Sequence, residues 1–137
     1  RTLLVAGLML EPEHYFKALE ARRAIAEALR MAFVRNRLDA LITPTLPATA
    51  APKDADDFWF GDAAEPVTLA YVRTTGPFNL SGLPALSVPA GFDRDGLPIG
   101  LQVAAAPFDE ETALRVGACF EAAAGIQARR PPIHASG

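Results

Sequence analysis

The chain is poor in the residues from which most site chemistry is built. A single cysteine, Cys119, excludes an internal disulfide framework and suits a reducing compartment, so the expected location is cytoplasmic. The two histidines, His14 and His134, form no cluster at metal-ligand spacing, so neither a metal nor another cofactor is expected. Lysine occurs only at 17 and 53, and serine only at 81, 87 and 136. No basic stripe interrupts a formal net charge of −3, which argues against nucleic acid as a ligand. Apolar runs such as Leu3 to Leu10 are too short to span a bilayer, so no membrane partner is expected. The first residues, Arg1-Thr2, lack the initiator Met and the charged region of a signal peptide. A start inside a longer protein, processing, or an expression boundary would each account for that.

What remains is an apolar chain: 50% of its 137 residues are hydrophobic and 21% charged, the makeup of one globular domain or part of a larger one. Glu11-Pro12-Glu13 reads as a helix start, with proline in the first turn and acids near the positive end of the dipole. The helix continues to about Arg37. Tyr15, Ala18, Leu19, Ile25, Ala26, Leu29, Ala32 and Phe33 recur at helical spacing as one buried stripe, and Arg35 and Arg37 suit the negative end. Arg22 falls inside that stripe, where it is expected to serve as a structural anchor to a carboxylate or to loop carbonyls.

Asp39 to Thr43 reads as a short buried strand ended by Pro44-Thr45-Leu46-Pro47. Ligand sites gather at such strand ends, so Thr43 and Thr45 either face a pocket or cap local backbone groups. Periodicity is lost from Thr49 to Val67, where Phe58, Trp59 and Phe60 lie among acids. This is expected to be a variable loop whose aromatics pack on the loop itself. Thr75, Phe78 and Asn79 precede the next strand and complete the set of pocket candidates, although for Asn79 turn-holding is the preferred role.

The most ordered pattern runs from Asn79 to Val103. Two largely buried strands, spanning about 85–104, flank Asp93-Arg94-Asp95-Gly96, whose glycine suits a tight turn, so the strands are expected to pair antiparallel. A second helix is expected over 110–124. Asp109 is its N-cap, Phe108 and Ala113 its hydrophobic staple, and Gly125 its stop. It should bury Ala113, Val116, Gly117, Phe120 and Ala124, pair Glu111 with Arg115, and hold Cys119 as a small core residue. The tail from Gln127 to Gly137 reads as irregular.

Asn-Leu-x-Gly-Leu-Pro-Ala-x-Ser-x-Pro, a turn, and Gly-Leu-Pro-x-Gly-Leu-Gln together resemble the C-terminal part of the amidase signature hydrolases. Three further segments agree in order: the helix with Tyr15, Ala18 and Arg22, the run Asp39 to Pro47, and Pro107 to Arg115. The resemblance spans Tyr15 to Pro132. It implies an α/β fold, a mixed β-sheet flanked by helices, with the whole chain forming the C-terminal portion of one amidase domain.

That family cleaves C–N bonds with a Ser–Ser–Lys constellation. A neutral lysine draws a proton through a bridging serine, and backbone N–H groups hold the oxyanion. No Gly/Ser-rich loop is present here, and neither Ser81 nor Ser87 has a base at a recognisable spacing, so no catalytic residue is assigned. The resemblance therefore implies sheet, pocket wall and flanking helices of an amidase whose catalytic half lies elsewhere. The expected partners are that half or a second copy of the chain, and in the whole enzyme a small amide. Two alternatives stand beside this. One is a non-catalytic assembly or binding module on the same scaffold. The other is part of the amidase-like subunit of a glutamine-dependent tRNA amidotransferase. Those subunits carry an acid about seven positions before the motif asparagine, where this chain has Val72.

Overall fold

The computed structural model describes residue 5 and residues 7–126; the expectations for residues 1–4 and for the tail Gln127–Gly137 lie outside the described residues. Helix α1 is Pro12–Asn36, opened by proline and closed at Arg37, whose left-handed backbone (φ 52) returns its N–H to the Phe33 and Val34 carbonyls. Strand β1 is Ala40–Pro44, and β2 (Asp57–Phe60) and β3 (Ala63–Pro66) follow. Two short helices come next, α2 (Val67–Arg73) and α3 (Gly76–Ser81). Strands β4 (Ala85–Phe92) and β5 (Pro98–Ala105) then lead to helix α4, Glu110–Ala124.

The main sheet has the order β1-β5-β4, and both pairings are antiparallel. Register assigns its two faces. Leu41, Ala104 and Ala85 lie in line, then Thr43, Gln102 and Ser87; Ile42, Val103 and Leu86 point to the opposite side. Helix α4 covers the second side and packs closely at Gly117: a Cβ there would come within 2.5 Å of Leu86 Cδ2, whose side chain would have to shift, and 3.3 Å of Val88 Cγ1. Helices α1 and α3 cover the Leu41–Ala104 end of the first side, where Phe33, Phe78, Leu83 and Ala104 form the core with Leu29, Leu38 and Leu41 around them. Burying one such aromatic is worth about 1.5–3 kcal/mol, so this cluster ties α1 to the sheet.

Several expectations are corrected. The α1 stripe is buried only toward its C-terminal end: Tyr15 and Phe16 are both 63% exposed, because α3 is too short to reach them. Strand β1 is not fully buried, since as an outer strand it leaves Ile42 exposed, and β4 alternates, with Ala85, Ser87 and Pro89 exposed. The segment read as a variable loop holds the β2–β3 hairpin. Its two strands of four residues are closed by Gly61-Asp62, with Gly61 at φ 67. Its aromatics pack on the loop itself only in part: Phe58 and Phe60 lie 6.0 Å apart, but Phe58 also meets Tyr71 of α2 edge-on at 5.5 Å, the Arg73 guanidinium of α2 lies 5.1 Å from the Phe60 ring centre, and Trp59 is 71% exposed. Cys119 is exposed on α4 and is not a core residue. Ala124 is also exposed, while Thr112 is buried in its stead. Asp109 caps α4 by accepting from the Thr112 N–H at 3.3 Å, but Phe108 has φ 64 and points outward, so no staple forms.

Candidate functional site: a polar strip at the open end of the sheet

Beyond the apolar end covered by α1 and α3, the same face of the sheet turns polar. Gln102 sits in the middle strand with only 4% of its surface exposed. A buried amide needs partners. Its Nε2 donates to Thr43 Oγ1 at 3.0 Å and to the Thr74 carbonyl at 3.2 Å. A carbonyl accepts only from the amide nitrogen, so this contact fixes which way the side chain is turned. Thr74 lies between α2 and α3, where Pro77 has no N–H to offer the Arg73 carbonyl and the helical ladder breaks. Gln102 thus clamps that break onto the sheet.

Thr74 adds a second tie, its Oγ1 donating to the Thr45 carbonyl at 2.6 Å. The Thr45 N–H donates to the Gly100 carbonyl at 2.8 Å, and Thr45 Oγ1 meets Ser87 Oγ at 2.7 Å. The last contact runs diagonally over β5, joining the hydroxyl of the residue just past β1 to one in β4. It requires glycine beneath it: a Cβ on Gly100 would lie 2.7 Å from Thr45 Oγ1 and 3.1 Å from Ser87 Oγ.

The hairpin turn at the end of this region is also pinned. Asp93 accepts from Thr49 Oγ1 at 2.6 Å, and from the backbone N–H groups of Asp95 and Leu97 at 2.9 and 2.8 Å. The Thr49 hydroxyl first, and then the Leu97 amide, hold this carboxyl below its ordinary pKa. A cavity of about 210 Å³ lies beside it, lined by Pro44, Leu46, Pro47, Thr49, Ile99 and Gly100 among others.

Of the residues singled out in sequence, Thr43 and Thr45 meet in the strip. Thr75 does not; its hydroxyl turns back to the Tyr71 carbonyl at 3.4 Å. Phe78 is 5% exposed and sits in the core with Phe33, Leu83 and Ala104, away from the strip. Asn79 is exposed on α3, and it is Ser81 that holds the turn after this helix, donating to the Phe78 carbonyl and accepting from the Leu83 N–H. Arg22 donates from Nε to the Leu80 carbonyl at 2.7 Å, linking α1 to the end of α3. Gln102, Thr74 and Gly100 were missed as site residues. Their one sequence signal is a glutamine placed inside an otherwise apolar strand. Neither Ser81 nor Ser87 has a lysine or histidine among its hydrogen-bond partners, and among the described residues no group of three His, Cys, Asp or Glu could hold a metal.

Residues 4–114 match the family described as Amidase. The chain belongs to the amidase family. It is 39% identical over 122 residues to a glutamyl-tRNA(Gln) amidotransferase subunit of Methanosarcina mazei, covering 88% of this chain and 24% of that protein. To a fatty acid amide hydrolase of Medicago truncatula it is 39% identical over 131 residues, 96% of this chain and 21% of the relative. A crystal structure of an amidase superposes with a TM-score of 0.80 at 33% identity, over 91% of this chain and 28% of that one. The amidase chain thus spans about a quarter of the length of these relatives. Its α/β architecture is theirs. No described helix is long and apolar enough to cross a membrane.

Proposed function

We propose that the chain is the C-terminal wall of an amide-hydrolysing site, with the nucleophile, its bridging serine and its lysine supplied by sequence outside these residues. The carrying observation is the polar strip. It is tied by hydrogen bonds and lined with hydroxyls, yet Ser87, the only serine in it, is bonded to Thr45 and has no lysine or histidine partner. A serine without a base to take its proton is a poor nucleophile. The strip can therefore bind and orient, but it cannot start acyl transfer. Thr43 and Thr45 belong to this wall, and Arg22 anchors α1 behind it.

The partner in this reading is the nucleophile-bearing segment, which the amidase relatives carry in the remainder of their length. In its absence copies of the chain meet at the same open surfaces, which light scattering reads as oligomers. The substrate is a small amide, and the compartment is cytoplasmic. A second reading, part of a tRNA-dependent amidotransferase, draws support from the name of the Methanosarcina relative. Val72 speaks for the hydrolase, since it stands where the resemblance places an acid in those amidotransferases and is 55% exposed. The test is covalent labelling of the 137-residue chain by a fluorophosphonate that traps activated serines. No mass is expected to be added, and a label on Ser81 or Ser87 would overturn the proposal.

A further inference from the structure

Resting on that reading, we infer that the outer edge of β4 takes up an extended strand from the nucleophile-bearing segment. The backbone of that strand pairs with Ala85 and Ser87, and an apolar side chain of it fills the groove between β4 and α4. Two backbone bonds fix the phase of the ladder. The Ala105 N–H donates to the Pro84 carbonyl at 3.0 Å, and the Thr45 N–H donates to the Gly100 carbonyl at 2.8 Å. In β5, Leu101, Val103 and Ala105 therefore turn their backbone groups toward β4, and Gly100, Gln102 and Ala104 turn theirs toward β1. Register sets Ala85 opposite Ala104 and Ser87 opposite Gln102, so the N–H and C=O groups of Ala85 and Ser87 point away from β5. Pro89, next in the series, has no N–H to offer.

No strand among the described residues is left to meet these groups. Strand β4 ends its sheet, β1 lies on the far side of β5, and β2 and β3 pair only with each other. Edge strands are ordinarily guarded by charge, proline, a bulge or a covering element. Here Pro89 and the bulge between Pro89 and Gly91 guard the far end, while Ala85 to Val88 carries neither charge nor proline. The unguarded part borders a mainly aliphatic groove of about 290 Å³, lined by Gly82, Pro84, Leu86, Glu110, Ala113 and Leu114 among others. Leu114 on its helical wall is 59% exposed. A strand paired with Ala85 and Ser87 would place every second side chain on the α4 side, over this groove. The occupant follows from chain length. This chain spans about a quarter of relatives that share its architecture, and an unguarded edge with an apolar flank is the place for the remainder to continue the sheet.

The test is hydrogen exchange on the complete amidase, this chain together with its nucleophile-bearing segment. The Ala85 and Ser87 amides should exchange at least about 100-fold more slowly there than in the dilute 137-residue chain, while Leu86 and Val88, which face β5, are protected in both. Ser87→Pro removes the outward N–H without breaking a bond to β5, and Ser87→Ala removes the hydroxyl but keeps that N–H. Ser87→Pro should weaken association with the separately produced segment about 10-fold or more, and Ser87→Ala should leave it at the parental level. Retained protection at Leu86 and Val88 shows that the proline variant is folded. Unprotected Ala85 and Ser87 amides in a complete amidase that hydrolyses acetanilide overturn the inference and leave the earlier reading in place. Protection that disappears when the complete amidase is diluted puts a second copy at the edge, and overturns it also. So does a folded Ser87→Pro chain that associates as tightly as Ser87→Ala. A complete amidase that protects both amides yet hydrolyses no amide substrate overturns the earlier reading and not the pairing.

Discussion

The two hairpins of this chain are built on different principles. Strands β4 and β5 are eight residues each, and β5 is buried along its second half between α4 and the α1–α3 core. Strands β2 and β3 are four residues each, pair only with one another, and rest on α2. Trp59 on the outer side of this small hairpin is 71% exposed. The first hairpin is held by the core of the fold and builds the strip; the second is held to α2 by Phe58 against Tyr71, Arg73 over the Phe60 ring, and an ion pair from Glu65 to Arg73 at 2.9 Å. Isolated short hairpins are marginal in water, so the second depends on α2 for its existence.

If this contrast is right, truncations should separate the two cleanly. Phe78→Ala empties the core beneath the large hairpin and should cost about 3–5 kcal/mol. Trp59→Ala in the small hairpin should stay within about 0.5 kcal/mol. Urea unfolding followed by circular dichroism gives both numbers, and comparable losses would erase the distinction. Gln102→Leu comes next. It leaves the Thr43 hydroxyl and the Thr74 carbonyl without their buried partner and should cost about 1–3 kcal/mol. Gln102→Leu as stable as the parent would mean that the clamp across β1, β5 and the α2–α3 break is dispensable.

The smallest effect concerns the large hairpin's turn. The carboxyl of Asp93 is held below its ordinary pKa by Thr49 and by the turn amides. Its contribution is therefore complete above the unfolded carboxylate value of about 4, and is lost as pH falls below it through the folded value. Hydrogen exchange at the Asp95 and Leu97 amides should lose protection over that acid range. Asp93→Asn should remove the pH dependence, and equal protection of parent and variant throughout would contradict this.

The same contrast explains what was legible in the sequence. The large hairpin shows itself because mostly apolar runs flank the turn Asp93-Gly96, although only the second half of β5 is buried throughout and it holds the polar Gln102. The small hairpin does not, because Asp57-Phe58-Trp59-Phe60 has no alternation; its order comes from Tyr71 and Arg73, which lie beyond it in the chain. Phe108 and Cys119 were misplaced for a related reason. Cys119 sits on a helix, where packing decides which side is covered, and Phe108 precedes the N-cap with a left-handed backbone that turns it outward. Thr43 and Thr45 were legible as candidates from their place at a strand end. Their partners Gln102, Ser87 and Gly100 lie about 40–60 residues away and come together only through strand register.

The central claim is that this chain supplies a binding wall and no catalyst. The most direct measurement is hydrolysis of acetanilide and benzamide by the purified 137-residue chain, by an amidase segment carrying the lysine and Gly/Ser-rich loop, and by the two produced together. Turnover is predicted only from the pair. Turnover by the 137-residue chain alone would contradict the account.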